Sequence, residues 1–151
     1  MRSRDHQPFD EDALRKLAGD KAFARGRGYA DHGHIALLSM NGLGVLAAAF
    51  GTSDYTVWLD RSAATISGNC SCPAYEDSGF CKHMVATALA VNGAGLQGDL
   101  PQDMIGQIAQ SVAELDKIQL EKLVGEMATA DWRTLRSLCF SLGIDWEDDF
   151  D

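Results

Sequence analysis

The sequence predicts an α+β fold on three observations. Helical periodicity runs through the first 33 residues, four short apolar runs separated by turn residues follow between His34 and Cys70, and helical periodicity returns from Met84 onward. The expected order is N-terminal helices, an antiparallel β-meander of about four strands, a cysteine-rich strand-to-helix junction, and a helical C-terminal half. At 151 residues the chain fits one compact domain or two small ones.

The first helix is expected from Glu11 to about Ala18, with Asp10 as its N-cap and Gly19 ending it. Asp20 then serves as the expected cap of a second helix through KAFARGRGYADHG to Gly33. On a 3.6-residue wheel Tyr29, Ala22, Gly26, Ala30 and Phe23 form one arc, while Lys21, Arg25, Arg27 and Asp31 fall on the other side. Gly26 costs roughly 1 kcal/mol of helix propensity relative to Ala, which a closely packed neighbouring backbone would justify.

HIALLSM, GVLAAAF, YTVWLD and AATISG read as strands. The breaks between them, NGLG, GTSD and DRSA, are too short for crossover helices, so the sheet should be antiparallel. Met84 to Val91 reads as an apolar helix, and NGAGLQGDLPQ as a glycine-rich loop dividing the chain. This gives residues 1–95 as a first domain, 101–144 as a helical segment and 145–151 as an acidic, frayed tail. In the helical segment Leu120, Leu123, Val124 and Met127 share one stripe, and Trp132, Leu135, Leu138, Cys139 and Leu142 another. Asp116 and Asp131 occupy N-cap positions. Cys139, inside a leucine stripe, reads as a small core residue.

A net charge of −9 and a pI near 4.7 disfavour nonspecific binding of polyanions. No apolar run reaches the length of a membrane span, and MRSRDHQPFD lacks the apolar centre of a secretory signal, so a cytoplasmic protein is expected. In a reducing compartment, clustered cysteines point to metal or redox chemistry rather than disulfides.

Three of the four cysteines and one of the four histidines fall between Cys70 and His83. Cys70 and Cys72, at the end of the fourth strand, project to one side because side chains alternate with a period of two. Within a helix, Cys81 and His83 would stand about 200° apart. Cys81 must therefore precede the first full turn and His83 lie just inside it, where the helix dipole favours thiolates. The eight residues Pro73 to Phe80 suit a tight excursion that brings the two pairs together. Three thiolates and one imidazole complete a tetrahedral zinc set of one ion per chain, leaving no position for water. Such a closed site is structural, and no catalytic residue and no enzyme activity are expected.

Other readings fit less well. Packing alone would leave a buried histidine without a partner. A redox dithiol would not require Cys81 and His83 at matched spacing. A zinc deaminase would need a His-x-Glu and Cys-x-x-Cys signature, which the chain lacks.

CSC followed by CKH, with Pro73 after the second cysteine and an apolar helix after the histidine, resembles the SWIM zinc finger, whose pattern is Cys-x-Cys, a variable spacer, then Cys-x-His. FARGRGYADHGHI is similar to the Arg-Gly-rich helix and strand that precede the finger in bacterial SWIM proteins, and LDKIQLEKLVGEMATADW is loosely similar to the helical tail after it. The resemblance implies that Cys70, Cys72, Cys81 and His83 bind zinc. It also implies DNA binding or protein interaction, since such fingers occur beside helicase domains, in transposase-like proteins and in ubiquitin-ligase proteins. At 151 residues the sequence is not expected to include those larger domains.

Two functions follow. One is a protein-interaction adaptor docking on a larger machine such as a helicase or ATPase, supported by the acidic surface and by Phe140 on the polar side of its helix. The other is a nucleic-acid-binding module. Residues 1–33 hold seven Lys or Arg against six Asp or Glu, and the remainder six against sixteen, so basic residues concentrate near the N-terminus. Lys21, Arg25, Arg27 and Lys82 are the candidate phosphate contacts, although a solvated helix face is the commoner meaning of such a run.

Overall fold

The computed structural model describes residues 9–62 and 64–146. Most of the acidic tail, and residues 1–8 with two of the N-terminal arginines, lie outside them. The chain divides into two compact units, Met1–Gln107 and Ile108–Asp151. The glycine-rich stretch expected to separate two halves, residues 92–102, therefore lies within the first.

In the first unit, α1 (Glu11–Ala18) starts where Asp10 accepts the amide of Ala13 at 2.7 Å, and stops at Gly19, whose positive φ of 82° favours glycine. Helix α2 (Asp20–Asp31) follows at once. Its N-cap is Gly19 rather than Asp20, because Gly19 is the single residue between the two helices and serves as the cap of both. Asp20 instead pairs with Arg15 at 3.7 Å. Strands β1 (Ile35–Met40), β2 (Gly44–Phe50), β3 (Asp54–Asp60) and β4 (Ser67–Cys70) form an antiparallel sheet in sequence order, as expected of a meander. The fourth strand is shifted toward the cysteines from its expected span of 63–68. Its pairing begins with Ser67 opposite Asp60, after a turn in which the Asp60 carboxylate accepts from the Ser62 amide and hydroxyl.

The excursion after the sheet is partly helical. Pro73 opens α3 (Pro73–Ser78), and Gly79 in the left-handed region closes it. Helix α4 (Lys82–Gln97) then runs through the centre of the unit. It starts two residues before the expected Met84 and runs six residues past the expected end at Val91. Asn92, read as a loop residue, stays helical and uses its side-chain amide to accept from and donate to the backbone of Phe9, at 2.7 and 2.8 Å. The helix ends at Gly98, with a positive φ of 77°.

From His83 to Leu89 every α4 side chain is buried, as expected of a helix that is apolar all round and covered on all sides. Against it pack Leu14 and Phe23 of the first two helices and Val45, Ala47, Val57 and Leu59 of the sheet. Gly26 of α2 meets α4 so closely that an added Cβ would lie 2.7 Å from the Lys82 carbonyl oxygen and 2.6 Å from Val85 Cγ1.

The second unit contains most of α5 (Met104–Ala113), then α6 (Lys117–Ala130) and α7 (Trp132–Ser141). Asp116 caps α6 through a reciprocal box with Gln119, and Asp131 caps α7 through the amide of Thr134. Both caps stand where the sequence places them. Of its described residues only Cys139 is buried.

The two glycines of α2 predict opposite responses. Gly26→Ala should destabilise the protein by about 1–3 kcal/mol, overpacking outweighing the gain in helix propensity. Gly28→Ala, with nothing within 4 Å of its added Cβ, should stabilise by about 0.5–1 kcal/mol. Chemical denaturation measures both, and equal effects would contradict close packing at Gly26.

Candidate metal centre

The register of β3 with β4 sets the first ligand. Cys70 pairs with Val57, whose side chain is buried, so by the alternation of the strand Cys70 also points inward. One residue later the pairing continues through Ser71, whose amide donates to the Thr56 carbonyl at 3.0 Å and whose hydroxyl accepts from the Thr56 amide at 2.9 Å. That holds Cys72 as the N-cap of α3. The Tyr75 hydroxyl donates to the Gly68 carbonyl at 3.0 Å and ties α3 back to β4. The turn at Gly79 returns the chain to Cys81, the N-cap of α4, with His83 in the first turn.

These four elements bring Cys70, Cys72, Cys81 and His83 together, as the sequence spacing requires. Their ligand atoms all lie within 4.8 Å of one another, and the residues are 2–6 % exposed. His83 turns Nδ1 toward the sulfurs, 3.8 Å from Cys70 Sγ and 3.9 Å from Cys81 Sγ. Zinc–sulfur bonds of about 2.3 Å and zinc–nitrogen bonds of about 2.0–2.1 Å in a tetrahedron separate such donors by roughly 3.5–3.8 Å. The donor set and its spacing fit one zinc ion. Cys139, the fourth cysteine, is buried in the second unit and is not part of the set.

The electrostatics of the cluster explain why it needs a cation. Cys81 is held low, to about 4, first by the hydrogen bond from Cys70 and then by those from His83, the Met84 amide and Cys72, against the cost of burial. Cys70 is pushed well up, first because its proton is engaged by Cys81 and second by burial. Burial chiefly raises Cys72 as well. Without metal the cluster therefore cannot hold three thiolates, and zinc must displace the protons that burial and the shared hydrogen bonds keep on the raised thiols.

Two residues that the motif does not reveal hold the histidine. The His83 ring lies between Tyr29 of α2, edge-on at 5.2 Å between centroids, and Tyr55 of β3, at 4.9 Å. Its Nε2 is buried with no hydrogen-bond partner among the described residues. Aromatic packing, rather than a carboxylate or carbonyl on the far nitrogen, orients this ligand. The apolar arc of α2, which contains Tyr29, carries the part of this signal present in the sequence. Tyr55 has no local signature.

The candidate phosphate contacts separate into two groups. Lys21, Arg25 and Lys82 line one cleft of about 520 Å³ beside the metal centre. Arg27 does not join them. It pairs with Glu11 at 2.5 Å and lies over the Phe23 ring.

A closed set of three cysteines and one histidine, pinned between a sheet and the start of a buried helix, defines a structural zinc finger. The family model of the SWIM zinc finger matches residues 55–92, from β3 through most of α4 and across all four ligands. The chain carries a SWIM zinc finger there. Comparison with curated proteins and with solved structures gives no match.

Zinc titration followed by calorimetry in buffers of different ionisation enthalpy should show one ion bound per chain with net release of protons at neutral pH. Because the raised thiols lose protons on binding, affinity should rise with pH while they remain protonated, and fall in acid. Binding without proton release, or affinity independent of pH, would contradict protonated thiols in the metal-free cluster. Cys81→Ser should abolish stoichiometric binding, and Cys139→Ala should retain it at a packing cost of about 1 kcal/mol.

Proposed function

We propose that the protein is a non-enzymatic adaptor, a SWIM finger joined to a helical unit that docks on a partner protein. The observation that carries this reading is the apolar surface of the second unit. Ile118, Trp132, Leu142 and Ile144 are exposed, and Phe140 is 89 % exposed. Large apolar side chains left exposed on neighbouring helices are what a protein-interaction surface presents. The stripes of α6 and α7 have helical spacing, but Leu120, Leu123 and Met127 remain exposed.

The nucleic-acid alternative has less support. The whole chain carries −9, and the diversion of Arg27 to Glu11 removes one of its four candidate contacts. Among the described residues no helix is long and apolar enough to cross a membrane. Unpaired cysteines suit a reducing cytoplasm. The resemblance to fingers found beside helicase domains makes a helicase or ATPase a fitting partner class.

Native protein should co-purify with a protein in fixed stoichiometry, unaffected by nuclease. Phe140→Asp combined with Leu142→Asp should reduce recovery of that protein at least about tenfold, a loss of about 1.4 kcal/mol or more, with zinc content unchanged. Co-purification that disappears on nuclease treatment, or that survives both substitutions, would contradict the proposal.

A further inference from the structure

We propose that the cleft beside the metal centre binds an acidic peptide segment of a partner protein. It is formed within the first unit by α2, the start of α4 and the loop around α3, and is lined by Lys21, Arg25 and Lys82 with no carboxylate. This site is separate from the apolar surface of the second unit and does not depend on it.

The charge pattern is selective. Arg15 and Arg27, on the same two N-terminal helices, are neutralised by Asp20 and Glu11. Lys21, Arg25 and Lys82 form no ion pair among the described residues, and Lys82 Nζ instead rests 4.6 Å above the Tyr29 ring. Zinc with three thiolates carries −1, so the three cations leave the cleft at a net +2. The cleft also faces the positive end of the 16-residue α4, which adds to attraction for carboxylates. In a chain of net charge −9 this is a local inversion of sign.

The lining between these cations favours peptide over nucleic acid. Ala18, Ala22 and Pro73 add small apolar residues to its lining, suited to small side chains or a peptide backbone. Single-stranded nucleic acid is held largely by bases stacking on free aromatic faces. Here both aromatic residues of the cleft, Tyr29 and Tyr55, pack on His83, and Lys82 covers Tyr29. A long polyanion would also meet the acidic remainder of the surface, which a short acidic segment avoids.

The test uses the full-length, zinc-loaded protein and a fluorescent oligo-glutamate peptide, followed by anisotropy at low salt and at about 150 mM salt, where the screening length is about 8 Å. The peptide should bind, more weakly as salt rises. Lys21→Glu with Arg25→Glu should weaken binding at least about tenfold at unchanged zinc content, and the milder Lys21→Gln with Arg25→Gln about threefold or more. Arg27→Glu and Arg133→Glu should leave it within about twofold. Absence of binding at low salt, or equal binding by the cleft variants, would overturn the proposal. So would tighter binding of an oligothymidylate of matched charge that the same cleft substitutions abolish, which would assign the cleft to nucleic acid instead.

Discussion

The first unit depends on a single electrostatic problem and its solution at the junction of β4 with α4. Three cysteine sulfurs and an imidazole are buried within 4.8 Å of one another, too close for three thiolates to coexist without a cation. The opposite displacements of Cys70 and Cys81 show the conflict: one thiolate persists only because its neighbour keeps a proton. A zinc ion removes the conflict and turns four separate chain positions into one rigid joint. Structural zinc contributes on the order of 10–16 kcal/mol, as much as a whole small domain's stability.

That joint determines the seat of α4, a helix buried on every side from His83 to Leu89 and so without a single preferred face there. Cys70 anchors its start to the sheet, and the side chains that follow His83 fill the space between α2 and the strands. Gly26 lets α2 approach the Lys82 carbonyl, and from the same helix Tyr29 reaches the metal-binding histidine. Helix packing and ligand orientation are therefore coupled: displacing α2 would move one wall of the His83 clamp.

Much of this was legible in the sequence, for physical reasons that differ by element. The ligands were readable because metal coordination restricts both residue type and spacing. The Asp10 cap, the four-strand meander and the capped helices of the second unit follow from local signals. Legibility ended where distant contacts decide. Asn92 looks like a breaker, yet it bonds the backbone of Phe9, 83 positions away, and α4 continues to Gln97. The start of β4 depends on the partner register at Asp60 and Ser67. Tyr55 and Tyr29 become a clamp only through tertiary packing, and Arg27 leaves its basic neighbours because Glu11 is within reach.

The metal's role as a structural joint separates the finger's stability from any recognition the surface performs. Hydrogen exchange on the full chain before and after zinc removal by a chelator tests that role most directly. Protection should collapse together across β3, β4 and the first turns of α4, while the capped start of α6 changes little. Unchanged protection in β4 and α4 after complete zinc loss would contradict the account.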